Sequence, residues 1–198
     1  MHHLAYILNE LVYNRFMNLE RIAKEVFSYI KVIFFTWLAV FTFVNFLFRP
    51  VVVEGLSMYP TLHNEDVGIS NIVGLKLSGV ERFDIVVIER YSNADLIVKR
   101  VIGLPNEKIE YIDDKLYING KYIEEKFLIN EYVDEYKANG NNFTGDFEVQ
   151  LGEDEYYCLG DNRPRSSDSR VIGPVNLSQI ISKSVYILYP FSNFLNGN

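Results

Sequence analysis

The stretch Val32-Ile33-Phe34-Phe35-Thr36-Trp37-Leu38-Ala39-Val40-Phe41-Thr42-Phe43-Val44-Asn45-Phe46-Leu47-Phe48 carries no charge, and Lys31 and Arg49 close its two ends. As a helix rising about 1.5 Å per residue it reaches roughly 26 Å, near the lower limit for the hydrocarbon core of a bilayer. Trp37 and the polar Thr36, Thr42 and Asn45 weaken the run without breaking it, and both flanking cations can snorkel to headgroups. A buried core helix and a cleavable signal peptide are the rival readings. A signal peptide has a shorter apolar stretch nearer the start, followed by a small-x-small cleavage site. Here Arg49-Pro50-Val51-Val52-Val53 follows and offers no such site. Residues 32–48 are therefore expected to form an uncleaved, single-pass transmembrane anchor.

Before the anchor, residues 1–31 carry Arg15, Arg21, Lys24 and Lys31 against Glu10, Glu20 and Glu25, a net charge of +1. By the positive-inside rule the basic residues just before the anchor put the N-terminus in the cytoplasm and residues 49–198 on the extracytoplasmic face of the cell membrane. Leu8, Leu11, Val12, Phe16, Leu19, Ile22, Ala23 and Val26 form a weak helical pattern. It suits an amphipathic helix that lies on the inner leaflet or continues the anchor. His2 and His3 are read as solvated residues without a role.

Beyond Pro50 the signals are those of short strands and turns, and the fold class expected is mostly β. Residues 84–88 and 96–102 are rich in β-branched side chains. Residues 108–112 and 115–118 flank Asp113-Asp114 as a hairpin, and Asn119-Gly120 leads at once into Lys121-Tyr122-Ile123 as another. Residues 155–159 and 184–189 read as the last strands, and residues 139–142 as a loop. The 15% aromatic content agrees with sheet. A net charge of −7 argues against a nucleic-acid partner. Cys158 is the single cysteine, so no disulfide within the chain is possible, and its strand context reads as core packing.

For chemistry, His63 is the one histidine beyond the anchor, six residues after Ser57 in a turn-like stretch, and it reads as a surface residue rather than a base. No His-Glu-x-x-His pair or other ligand spacing is present, so neither metal nor cofactor is expected. Two segments stand out because their polarity conflicts with their surroundings. One is Glu54-Gly55-Leu56-Ser57-Met58-Tyr59-Pro60, where Gly55 permits a tight approach and Pro60 stiffens the turn. Serine in a turn most often makes only local hydrogen bonds. The other is the strand around Lys99, whose period-two alternation puts Ile97, Lys99 and Val101 on one face. A lysine so flanked either snorkels or loses its charge by burial, and a neutral amine can take a proton from a serine. A third segment, residues 160–170, is dense in Asp, Asn, Arg and Ser, which suits a surface loop or a loop that orients catalytic groups.

Together, in this order and behind a membrane anchor, these segments resemble the bacterial type I signal peptidases, the S26 family of Ser-Lys proteases. Glu-Gly-Leu-Ser-Met-Tyr-Pro around Ser57 resembles the family's nucleophile box, and Val-Lys-Arg-Val-Ile-Gly-Leu-Pro around Lys99 its general-base box. Gly160-Asp161-Asn162-Arg163 with Ser166-Ser167-Asp168-Ser169-Arg170 resembles its third box. The resemblance implies a catalytic Ser57 and Lys99, a Ser166 hydroxyl bonded to the lysine, and an Asp168–Arg170 ion pair. Asp161 and Gly55 stand with these as supporting residues. It also implies secretory preproteins as substrates, cut after a small-x-small sequence beside the lipid bilayer. Two departures are noted. Gly55 stands where some members carry a serine that donates to the oxyanion, as in the Gram-positive branch, which leaves a second donor unassigned. Asn106 stands where a glycine is usual after Leu-Pro. Rival functions are a peptidase dedicated to one secreted or pilin-like substrate, a non-catalytic assembly chaperone of the same fold, and a soluble Ser-Lys autoprotease.

Overall fold

The computed structural model describes residues 2–90 and 95–193. The side chains of His2, His3, Leu8, Leu11, Val12 and Phe16 lie outside the described residues. Two compact units result, Met1–Asn45 and Phe46–Asn198.

The first unit is helix α1 (His2–Thr42), which runs on without a break from the polar segment into the apolar one. Continued through a turn of π-helix at Phe43–Leu47, the helical stretch Met17–Leu47 holds an 18-residue window with a mean hydropathy of 2.0, long and apolar enough to cross a membrane. Phe34, Trp37 and Phe41 stay exposed, as lipid-facing side chains must. The expected span ended at Phe48, but Phe48 opens a strand and pairs with Asn71.

The second unit is built on sheet. Among the described residues its larger sheet has the order β1-β2-β11-β3-β4-β9-β10. The strands are β1 (Phe48–Val52), β2 (Val67–Asn71), β3 (Ile85–Glu89), β4 (Leu96–Gly103), β9 (Glu155–Leu159), β10 (Val175–Asn176) and β11 (Ile180–Tyr189). β3 has no polar alternation because both its faces are covered. Ile85 and Val87 join Val51, Val53, Met58, Leu62, Val185 and Ile187 on one side, while Val86 and Ile88 join Val101, Cys158, Val175 and Ile180 on the other. Cys158 is thus a core residue, 1% exposed. Pro50 is tolerated because β1 is the last strand of the sheet, where a missing backbone donor costs least.

A smaller sheet has the order β7-β6-β5-β8, from β5 (Lys108–Ile112), β6 (Lys115–Ile118), β7 (Lys121–Ile123) and β8 (Phe147–Gln150). Both expected hairpins form. Their turns take positive φ at Asp113 and Asp114 and at Asn119 and Gly120, which is the conformation that matches the twist of two-residue hairpins. Asn106 has φ of +65°, so it occupies the left-handed position that glycine favours and that asparagine tolerates, and the turn survives the replacement. Helices α2 (Ile72–Ser78), α3 (Glu131–Ala138) and α4 (Ser169–Ile172) complete the unit.

Candidate active site

Ser57 sits in the turn between β1 and β2, and burial explains how so irregular a segment is held. Its neighbour Met58 is 1% exposed and Leu62 is fully buried, each contributing roughly 2 kcal/mol of transfer free energy. Gly55 has φ of +84°, and its N–H donates to Asn64 Oδ1 at 2.7 Å, closing the turn. The Ser57 side chain thereby meets β4. Lys99 Nζ lies 2.7 Å from Ser57 Oγ and 3.0 Å from the Val98 carbonyl, to which it donates.

Lys99 is 3% exposed. Burial strips water from its ammonium form and lowers its pKa from 10.5 to about 8; Asp168, Cys158 and Asp161 pull the other way and Arg90 assists. The amine is therefore substantially neutral at mildly alkaline pH, where it can accept the serine proton.

Asp161 ties the Lys99 strand to the loop that follows Ser57. Its carboxylate accepts two hydrogen bonds from Arg100, at 2.9 and 2.7 Å, and one from Thr61 Oγ1 at 2.5 Å. Arg100 follows Lys99 on β4 but points to the opposite face, where it covers the Phe127 ring at 4.1 Å and donates to the Phe83 carbonyl. The buried bidentate pair and the Thr61 bond on the same carboxylate thus fix the strand of the lysine against the loop that follows the serine.

Asp168 is fully buried and accepts from Arg170 Nε and Nη2, both at 2.8 Å, and from the Gly160 N–H at 3.0 Å. Burial alone would raise its pKa, but the hydrogen bonds and charge of Arg170 outweigh it and hold the carboxyl below its ordinary value. Gly160 is required by space. A Cβ there would run into Ser166 Oγ and the Ser57 carbonyl.

A cavity of about 450 Å³ opens from this pair, lined by Val52, Val53 and Glu54 on one wall and by residues 96–99 on the other. The Arg90–Asp95 ion pair, 2.6 Å, also lines it. Both walls are strand edges. β1 is the last strand of its sheet, and β9 pairs with β4 only from Arg100 onward, so among the described residues β4 pairs at 96–99 only with β3.

A family model for signal peptidase, peptidase S26, matches residues 26–189. The chain belongs to the S26 signal peptidase family. Among its relatives, signal peptidase IB of Staphylococcus aureus is 37% identical over 182 residues, covering 86% of this chain and 93% of that protein. Signal peptidase I S of Bacillus subtilis is 36% identical over 179 residues, covering 88% and 95%. A crystal structure of a signal peptidase I from Enterococcus faecalis aligns with a TM-score of 0.48 at 37% identity, covering 52% of this chain and 95% of that one.

Within this signal peptidase fold the expected site residues come together with one exception. Ser57, Lys99, Gly55, Asp161, Asp168 and Arg170 all lie in the network just described. Ser166 lies in the same loop, and its buried hydroxyl is near enough to the Asp168 carboxylate to favour the ionised form. Its geometry to every neighbour nevertheless falls outside hydrogen-bonding limits, so the bond to Lys99 implied by the resemblance is not formed. Here Lys99 is already engaged by Ser57 and Val98. The His63 ring packs edge-on against Tyr59 at 5.3 Å, and its Nδ1 lies 3.8 Å from Asp66.

Sequence reasoning missed three contributors. Arg100 was visible only as the residue after the lysine. Arg163, completely buried, donates to the Gly160 carbonyl at 3.0 Å and to Glu125 at 2.5 Å, fastening the loop to the segment that leaves β7. Tyr132 on α3 reaches Asn162 at 3.1 Å, and no local pattern announces it.

Proposed function

We propose that the chain is a membrane-anchored serine endopeptidase that removes signal peptides from secretory preproteins, with Ser57 as nucleophile and Lys99 as general base. The observation that carries this reading is the 2.7 Å contact between Ser57 Oγ and the buried Lys99 amine. In the reactive form the amine is neutral and accepts the serine hydroxyl proton as Oγ bonds to the scissile carbonyl carbon. The tetrahedral intermediate places its negative oxygen beside the Ser57 N–H. Collapse breaks the C–N bond, and the Lys99 ammonium returns its proton to the departing amine, leaving an acyl-serine. Water, deprotonated by Lys99, then attacks the ester, releases the signal peptide's carboxylate and regenerates Ser57.

The two open strand edges flanking the cavity suit a substrate bound as an extended chain, hydrogen-bonded through its main chain, with Val52, Val53, Ile97 and Val98 among the side chains it would meet. Asp161 with Arg100, and Asp168 with Arg170, hold the two catalytic segments in register, while Gly55 and Gly160 allow them to approach. The basic residues before the span support a cytoplasmic N-terminus with the catalytic unit on the outer face. Carrying span and catalytic unit in one chain concentrates the enzyme where membrane-inserted signal peptides lie.

Cleavage of a purified preprotein by the full-length chain in lipid tests the assignment. Wild type cuts after small-x-small, and Ser57→Ala and Lys99→Ala both leave the precursor intact. Near-normal cutting by Lys99→Ala would remove the lysine from the role of base.

A further inference from the structure

The peptides on either side of Ser57 are both held by one residue, Asn162. Asn162, 1% exposed, donates from its main-chain N–H to the Ser57 carbonyl at 3.0 Å. Its Nδ2 donates to the Leu56 carbonyl at 3.0 Å, an oxygen that also accepts from the Tyr59 N–H at 3.2 Å. The Leu56–Ser57 bond is trans, so its N–H points opposite to its carbonyl. With the Leu56 oxygen turned toward Asn162, the Ser57 N–H is turned away from it. Among the described residues that N–H donates to nothing. It is a free donor on the nucleophile itself, where an oxyanion develops. Gly55 adds no side-chain hydroxyl to the turn, which leaves more of the stabilisation to this backbone donor.

Asn162 can do this in only one of its two amide orientations. Flipped, it would set Oδ1 against the Leu56 carbonyl, oxygen against oxygen. The Leu56 carbonyl, which can only accept, selects the productive orientation, and the Tyr132 hydroxyl anchors the other end of the amide by donating to Oδ1 at 3.1 Å. Helix α3 holds that tyrosine in place. Asn130 caps the helix through the Val133 N–H, Val133 is buried, and the Tyr132 ring packs edge-on against Tyr59 at 4.9 Å and Phe143 at 6.2 Å.

Resting on the reading of Ser57 as nucleophile, we propose that Tyr132 is a positioning residue which, through Asn162, locks the Leu56–Ser57 peptide with its N–H aimed at the developing oxyanion. Tyr132 touches neither Lys99 nor the cavity wall, so its effect falls on the transition state and leaves substrate binding and the base unchanged.

The test compares full-length wild type, Tyr132→Phe, Asn162→Ala and the double variant in detergent micelles, with thermal unfolding confirming that each is folded. Tyr132→Phe is expected to lower kcat roughly five- to tenfold, the loss of one hydrogen bond, with KM and the pH inflection unmoved. Binding of a peptidyl boronic acid ending in alanine, whose tetrahedral adduct carries the oxyanion, weakens by the same factor. Asn162→Ala costs about a hundredfold, and adding Tyr132→Phe to it costs nothing more. A Tyr132→Phe kcat within twofold of wild type overturns the proposal, as does a rise in KM with kcat retained. Independent, multiplying effects of the two substitutions overturn it as well. Ser57→Ala, run alongside, separates the two levels: inert Ser57→Ala with unaffected Tyr132→Phe sinks the positioning role alone, whereas active Ser57→Ala sinks the nucleophile assignment and this proposal with it.

Discussion

Raising the pH through the titration of Lys99 perturbs catalysis and stability together, and the signs of both follow from its burial. The folded-state pKa is about 8 and the ordinary value is 10.5. About a tenth of the amine is neutral at pH 7 and about nine tenths at pH 9, so kcat/KM rises about tenfold across that interval and levels off above it. For stability, the unfolded state binds more protons between pH 8 and 10.5, so stability rises with pH in that window. Below about pH 8 the full cost of burying the charge is present; it is relieved as pH approaches 10.5. At about 1.4 kcal/mol per pH unit, that cost is ~3 kcal/mol. Lys99→Met fills similar space without a charge and escapes it. Other groups titrate in the same range, so the useful quantity is the difference between the two proteins. The assay is thermal unfolding of both full-length chains in detergent, followed by circular dichroism from pH 7 to 10.5, beside initial rates for wild type. Lys99→Met should be more stable by ~3 kcal/mol at pH 7, with the gap closing toward pH 10.5. A flat rate profile from pH 6 to 10, or stability curves that stay parallel, would falsify the account of a buried, deprotonated base.

Two further perturbations follow from the same network. Asp168 is the largest influence raising the Lys99 pKa, so Asp168→Asn should move the inflection of kcat/KM below that of wild type and shrink the ratio of rates at pH 9 and pH 7; an inflection moving upward refutes the assignment. Glu125→Gln leaves Arg163 buried without its counter-charge, a loss of about 3 kcal/mol that should lower Tm by about 10 °C in a calorimetric scan, and an unchanged Tm would show the pair to be idle.

Much of this was legible from local pattern. The hairpins at Asp113-Asp114 and Asn119-Gly120 rest on residues that accept positive φ, a property of two residues and nothing beyond them. Lys99 was legible as an anomaly, a charge among β-branched neighbours, and its burial resolves the choice between snorkelling and neutrality. β1, β2 and β8 were not foreseen, because Pro50, Gly68 and Glu148 dilute their strand character and pairing with neighbours overrides propensity. The start of β11 was missed too: Lys183 is buried there only because its amine reaches Asp84 at 3.0 Å, ninety-nine residues away in sequence. The Arg100–Asp161, Arg163–Glu125 and Tyr132–Asn162 contacts have the same character. Each joins segments brought together only by the finished fold, and no spacing rule records them.

The bare rims of β1 and of the first half of β4 have a consequence for the protein when no substrate is present. A rim that welcomes one extended chain welcomes any other, including the same rim on a neighbouring molecule. Pro50 deprives β1 of one backbone donor, and Glu54, just past its end, would lie against Glu54 of a second copy in a symmetric pair centred there. Two identical molecules therefore make poor partners along that rim, while a preprotein with neither obstacle can lie down on it. The gap beside Ser57 and Lys99 is in this sense a vacancy in the sheet open to a strand from outside, and the molecule's own sequence is written so as not to fill it.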